Sequence, residues 1–322
     1  VNDLDQKAIG DAMDDHRFRI LVCIDGSDES YRGLRYAAKL GGGIDADIVL
    51  LYVRPADQGL RSGGFEIEVA RQNMLEWGLE LPGIKYLKKG RDLLVDLGVM
   101  DNNWEQHSYH TDVQGTTLGD NKIEYRNENG KKTVLKLKVA PDVATGILQQ
   151  YELAPYDLII LGASSRWKGS IKGFWDPAVA EKVAIHAPCS VLIARDLEVG
   201  HGHLICTDGS ATAMDMVRKD AMIASRCQCP ISIMSVALDD EGEEKARENV
   251  EAARNALESM KISVAETLIR RGDPVEEIVE AGPDYSLIVL SDTAKSGLHR
   301  FFMGSVAFKV METAHNSVMI VR

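Results

Sequence analysis

The chain spells one order of apolar runs twice. Pro155-Tyr156-Asp157-Leu158-Ile159-Ile160-Leu161 is followed by Val179-Ala180-Glu181-Lys182-Val183 and by Ala187-Pro188-Cys189-Ser190-Val191-Leu192-Ile193-Ala194-Arg195. The order returns at Pro283-Asp284-Tyr285-Ser286-Leu287-Ile288-Val289-Leu290, Val306-Ala307-Phe308-Lys309-Val310 and Ala314-His315-Asn316-Ser317-Val318-Met319-Ile320-Val321-Arg322. Each copy has its own apolar opening run ending in Asp-Gly-Ser, at Asp25-Gly26-Ser27 and Asp208-Gly209-Ser210. Whatever one copy folds into, the other must fold into as well. The chain therefore reads as two homologous domains, 17–196 and 203–322, behind an acidic tail over 1–16.

With 322 residues the chain is long enough for two cores of ordinary size. Its formal charge of -12 argues against a sequence-independent grip on nucleic-acid phosphates. No apolar stretch approaches the roughly 20 residues that span a bilayer. The expectation is a cytoplasmic protein with neither nucleic-acid nor membrane partners. Five cysteines do not make a disulfide framework in a chain this long. Cys23 and Cys206 occupy equivalent places in the two opening runs, where a small thiol packs well.

The second copy predicts strands at 203–208, 230–236, 264–270, 286–290 and 317–321. Helices are expected from Ser210 as N-cap to about Arg226, from Glu241 to Met260, from an Asp273 cap with Pro274 in the first turn, and from Ser305. Strands alternating with helices predict a doubly wound parallel sheet covered on both faces, with its ligand crevice at the carboxyl ends of the strands. The first copy repeats this order, with a strand at 48–53 and helices within 65–78 and 84–98. It also carries an insert at about 101–132. Within the insert, Lys122 to Arg126, Asn129-Gly130 and Lys131 to Lys138 read as a β-hairpin whose second arm runs into the domain's third strand. His201-Gly202-His203 ends the linker and reads as a short polar connector or, alternatively, a pair of metal ligands.

This repeated order resembles the universal stress protein family. Both halves match, apart from the acidic tail and the insert. The matching features are the strand ending in Asp followed by Ser, the Asp-Leu-Ile-Ile-like fourth strand, and the Gly-Ser-Val-Ala…Lys-Val segment before the last strand. Gly272-Asp273-Pro274-Val275-Glu276-Glu277-Ile278 is particularly close. The resemblance implies that the last strands, Ser190–Ala194 and Ser317–Val321, pair across a two-fold axis as a pseudo-dimer. Some members of the family bind ATP or AMP and others do not. In the binders a Gly-x-x-Gly loop follows the fourth strand, and a Gly-Ser or Gly-Thr further on begins a helix. Glycines let backbone approach phosphates, and a helix start offers free N–H groups and a positive dipole end.

The resemblance implies an adenine-nucleotide site in the second domain at Cys206, Thr207, Asp208, Val236, Ser291, Ala294, Gly304, Ser305 and Val306. Ser291 and Ala294 replace its two glycines, and Asp292 adds a negative charge there. An ordinary strand–loop–helix junction, with Ser305 merely capping, stands as the other reading. The first domain's counterpart is degenerate, at Asp25, Val53, Gly162, Ser165, Asp176 and Pro177. There Asp176-Pro177 supplies its own cap, and Pro177 and Ala178 stand where Gly304 and Ser305 do. In the insert, His107, His110 and Asp112 are candidate metal ligands on a loop or helical turn, against the alternative of solvated loop histidines. The function expected is stress-linked regulation with conditional nucleotide binding and self-association as a homodimer. The alternatives are a nucleotide-free protein acting on a partner through its insert, and a slow ATP hydrolase or metal-dependent enzyme. No catalytic constellation stands out, so no enzyme is expected.

Overall fold

The computed structural model describes residues 17–43, 45–55, 82–113, 116–153, 155–163, 177–195, 201–226, 228–291 and 304–322. In the first half the chain runs β1 (Phe18–Cys23), α1 (Asp28–Gly43), β2 (Ala46–Pro55), α2 (Pro82–Asp96), β3 (Glu105–Val113), β4 (Thr116–Arg126), β5 (Lys132–Ala140), α3 (Val143–Leu153), β6 (Leu158–Gly162), α4 (Pro177–His186) and β7 (Ser190–Ala194). The second half runs β8 (His203–Cys206), α5 (Ala211–Arg226), β9 (Ile231–Ala237), α6 (Glu243–Ser259), β10 (Glu266–Arg271), α7 (Pro274–Ala281), β11 (Leu287–Ser291), α8 (Ser305–Thr313) and β12 (Ser317–Val321).

The described strands form one 12-stranded sheet in the order β10-β9-β8-β11-β12-β7-β6-β1-β2-β5-β4-β3. Outward from the centre the two halves read β12-β11-β8-β9-β10 and β7-β6-β1-β2-β5, the same order twice. Pairing is parallel within each of these sets. It turns antiparallel where β12 meets β7, with Val318 opposite Ile193, Met319 opposite Leu192 and Ile320 opposite Val191. Leu192 and Met319 are themselves equivalent in the repeat, so a local two-fold passes through that pair. The expected adjacency of the closing strands is observed.

Alternation along the strands sends residues to two apolar layers, and both layers run across the seam. Ile20, Leu192, Ile205 and Met319 belong to one layer, under α1, α2, α5 and α6. Leu21, Val191, Leu204 and Val318 belong to the other, under α3, α4, α7 and α8. Burial on both faces is why these strands read as unbroken apolar runs.

Two arginines fasten the seam. Arg195 and Arg322 follow the paired strands and are equivalent in the repeat. The Arg195 guanidinium donates to the carbonyls of Met311 (2.5 Å) and Asn316 (3.1 Å), at and beyond the end of α8. That of Arg322 donates to Ala184 (2.5 Å) and Ala187 (2.7 Å), at and beyond the end of α4. Each thereby satisfies carbonyls that a helix end leaves open. The Arg195 N–H also donates to Ser317 Oγ, and the Arg322 N–H to the equivalent Ser190 Oγ. Arg195 is fully buried, and desolvation lowers its pKa to about 10.

The insert extends the sheet further than the hairpin alone predicts. β4 and β5 are antiparallel, joined through Gly130 at positive φ, and β5 pairs in parallel with β2 as the domain's third strand. Beyond β4 lies a further antiparallel strand, β3. The loop or helical turn expected around His107, His110 and Asp112 is this strand. The predicted helix within 84–98 is α2, and the one within 65–78 lies outside the described residues. At the root of the insert Glu124 accepts from Lys122 (2.6 Å) and Arg126 (2.8 Å). Burial opposes its charge, but those hydrogen bonds prevail and hold its pKa at about 2.

Because both layers cross the seam, the halves are expected to unfold together. All four tryptophans lie in the first half, so their fluorescence reports that half alone. Val318→Asp places a charge in a fully buried layer of the second half, and at least about 3 kcal/mol of stability should go. The urea midpoint read from tryptophan fluorescence should fall with it. A fluorescence transition left in place would show that the halves fold separately.

Candidate functional site

Both Asp-Gly-Ser turns are built alike. In the second half Asp208 Oδ1 accepts the Ser210 N–H (2.9 Å), and Ser210 Oγ accepts the Ala213 N–H (3.3 Å) as the N-cap of α5. In the first, Asp25 Oδ1 accepts the N–H (2.9 Å) and hydroxyl of Ser27, whose Oγ in turn accepts the Ser30 N–H. The glycine between them has positive φ in both, +91° at Gly26 and +75° at Gly209, which explains the residue type. The motif makes a turn first, and thereby sets a carboxylate at the carboxyl end of the opening strand.

In the second half that position borders a crevice at the carboxyl ends of β8, β9 and β11. Its cavity of about 160 Å³ is walled by Cys206, Thr207, Asp208, Val236, Ser291 and Val306, all expected from the sequence. Met234, Pro274, Ile278, Leu290 and Ala307 complete it. These five are apolar and read as core; only the Asp273-Pro274 helix start signalled a wall there. Burial raises the Cys206 thiol to about 12, so it stays neutral at physiological pH. Ala294 lies outside the described residues.

Two helices start at this crevice, and they differ. Asp273 caps α7, accepting from the N–H groups of Val275 (2.9 Å) and Glu276 (3.2 Å). The N-cap of α8 is Gly304, and no side chain among the described residues caps it. Among the described residues nothing closes its first-turn N–H groups and positive dipole end to an anion. Ser305 is the first residue of α8 and is exposed; it does not act as the cap.

Among the described residues the first half's counterpart is a much smaller cavity. Walled by Ile24, Asp25, Val53, Val143 and Ile147 among others, it amounts to about 10 Å³. Ile24 stands where Thr207 does, and Val143 where Pro274 does. Gly162, read as the first glycine of a phosphate loop, serves packing: a Cβ there would lie 2.2 Å from the Glu29 carbonyl oxygen at the start of α1. Pro177 is the first residue of α4. Ser165 and Asp176 lie outside the described residues.

The metal candidates His107, His110 and Asp112 lie along β3. His107 Nε2 lies 3.0 Å from Glu105 Oε1. Among the described residues no group of three His, Cys, Asp or Glu could hold a metal ion. His203 is neither a connector nor a ligand in waiting. It opens β8 fully within the core, with Nδ1 3.0 Å from Asp220 Oδ2 on α5 and Nε2 3.5 Å from the Tyr36 hydroxyl on α1.

No helix among the described residues is long and apolar enough to cross a membrane. A sequence model described as the universal stress protein family matches residues 16–195 and 203–322. A universal stress protein of Methanocaldococcus jannaschii is 28% identical over 137 residues, covering 37% of this chain and 80% of that protein. The fold is similar to the crystal structure of a universal stress protein from Archaeoglobus fulgidus, with a TM-score of 0.62 and 15% identity over 94% of this chain and 98% of that one. A second crystal structure, described as a universal stress protein of Pseudomonas aeruginosa, gives a TM-score of 0.59 and 15% identity over 95% and 93%. At those identities the two structures speak for the fold alone.

Burial lowers the pKa of His203 while Asp220 raises it; Asp220 prevails and brings it to about 9, above the ordinary 6.5. A raised folded pKa contributes stability that is fully present below the unfolded value and is lost as pH rises through the folded one. Stability from this pair should therefore fade between about pH 6.5 and 9, with a slope approaching about 1.4 kcal/mol per pH unit. His203→Gln should be less stable overall and should lack that slope. Parallel pH profiles of urea stability for the two proteins would refute the ion pair.

Proposed function

The chain belongs to the universal stress protein family, and on that premise we propose that it is a stress-linked regulator that binds an adenine nucleotide, ATP or AMP, in its second half. The observation that carries this reading is the contrast between the two crevices. Among the described residues one is an open cavity of about 160 Å³, and its counterpart in the first half is about 10 Å³.

The residues present fit such a ligand. Val236, Ile278, Leu290 and Val306 offer the apolar walls that a purine needs. Thr207, Asp208 and Ser291 add a few polar groups at its rim, with Asp208 able to accept from an exocyclic amine or a ribose hydroxyl. Phosphates would meet the start of α8 at Gly304 and Ser305, where backbone N–H groups donate and the dipole favours negative charge. The bound nucleotide supplies charge and shape; the chain orients it between β9 and α8. The reading is of a binding protein whose nucleotide state reports to a partner, not of a catalyst.

Gly304→Leu would crowd the helix start, whereas Ala178→Leu alters the exposed first-half position that matches Ser305. Calorimetric titration with ATP and with AMP should show binding to the parent chain. Affinity should fall at least tenfold in Gly304→Leu and stay unchanged in Ala178→Leu. Loss of binding in Ala178→Leu alone would move the site to the first half, and absence of binding in the parent would sink the reading.

A further inference from the structure

The two ends of the sheet are guarded differently. At one end β10 is a short edge whose sequence, Glu-Thr-Leu-Ile-Arg-Arg, carries charges at both ends. Arg271 pairs with Asp240, and Glu266 accepts from the Tyr285 hydroxyl (3.2 Å). Charged side chains on a short edge are the usual defence against pairing with another chain. At the other end β3 spans nine residues, Glu-Gln-His-Ser-Tyr-His-Thr-Asp-Val, without a lysine, arginine or proline. Residues 105–109 and 111 are exposed, so both faces of β3 are open. Among the described residues its one strand neighbour is β4.

We propose that β3 is a dimerisation edge, pairing antiparallel with β3 of a second copy of this chain about a two-fold axis at Ser108. The outward-facing N–H and C=O groups of a strand recur every second residue, so a strand pairs with its own copy only about a residue, not between residues. Three centres use most of the strand. A centre at His107 sets two imidazoles directly opposite one another. A centre at Tyr109 carries the ladder through the irregularity between Thr111 and Val113. A centre at Ser108 pairs the regular stretch 105–111, with Glu105 opposite Thr111 and His107 opposite Tyr109 of the second copy. No like charges face each other, and an aromatic cross-strand pair forms twice. Tyr109, 52% exposed and stacked under Lys122 Nζ at 5.0 Å, would be covered.

A second copy suits this edge better than an extended peptide does. Strand addition by a peptide draws its specificity from pockets that take alternate side chains. Here both faces of β3 are exposed and polar over 105–109, and no described cavity borders the middle of the strand. A second copy brings an edge already ordered by β4, and so avoids the entropy that a peptide loses on binding. The chain already joins its own halves by antiparallel pairing of two equivalent edges, β7 with β12. This proposal is independent of nucleotide binding.

Sedimentation velocity of the full chain over a range of micromolar concentrations should show a dimer. Ser108→Lys sets two ammonium groups at the axis and should weaken dimerisation at least tenfold, with the melting temperature unchanged. Should that variant fold poorly, Ser108→Cys provides an independent reading. Under mild oxidation it should yield a disulfide-linked dimer on a non-reducing gel, while the parent chain and Thr111→Cys should not. A monomeric parent would overturn the proposal and leave the edge to a peptide. Dimers that persist in well-folded Ser108→Lys, or a Ser108→Cys chain that fails to cross-link, would overturn it as well.

Discussion

The antiparallel pairing of β7 with β12 is the constraint on which the rest of the structure depends. Without it each half would end in a bare apolar edge: Val191 to Ala194 and Val318 to Ile320 are essentially unexposed. Such edges are templates for aggregation. Pairing them joins two parallel sheets into one and carries both apolar layers across the junction. Arg195 and Arg322 then cross from the end of each strand to carbonyls at the end of the opposite half's last helix. The strand pairing, the serine contacts and the arginine-to-helix-end contacts recur on both sides, which is why a duplicated sequence can build both sides with one set of residues. The arrangement places a guanidinium in the core, and the carbonyls it satisfies are what make that tolerable.

Antiparallel pairing has a geometric consequence for function. The carboxyl ends of the two parallel strand sets point in opposite directions, so the two crevices open at opposite ends of the sheet. Neither forms a wall of the other, and each can change alone. The outcome of that freedom is visible in matched residues. Cys206 and Cys23, Val236 and Val53, and Ile278 and Ile147 keep the same framework. Thr207 against Ile24 and Pro274 against Val143 differ, and so do the cavity volumes among the described residues. Where the second half has Ser291, the first needs Gly162 because α1 approaches the end of β6 at backbone distance.

What was readable in the sequence follows from burial. Leu158–Gly162 and Leu287–Ser291 are covered on both faces and therefore appear as continuous apolar runs. Asp25-Gly26-Ser27 and Asp208-Gly209-Ser210 announce themselves because a positive φ demands glycine and a helix start rewards serine. β3 gives no such sign, because a strand exposed on both faces has no apolar period to show. Met234 and Leu290 were missed in the crevice for the converse reason: an apolar wall residue and an apolar core residue look alike in sequence. His203 was misjudged since its partners, Asp220 and Tyr36, come from two different helices, one of them in the other half.

That last group answers a question the seam leaves open. Contacts symmetric about Leu192 and Met319 would serve equally well to pair two copies of the same half. Tyr36, His203 and Asp220 break the symmetry. By strand register His203 corresponds to Ile20, since each lies opposite the equivalent Leu287 or Leu158. The first half thus has an aliphatic side chain where the second has an imidazole. Two first halves would set Tyr36 toward an isoleucine and so lose its contact with an imidazole. Only a first half against a second half brings the Tyr36 hydroxyl to His203 Nε2, while Asp220 holds Nδ1. A buried ion pair is weak evidence for stability, and fixing a register is its best-attested use. Here it lies on the α1–α5 face of the sheet, opposite the arginines on the α4–α8 face. The arginines fasten the seam on both sides, and the histidine contact is made only between unlike halves.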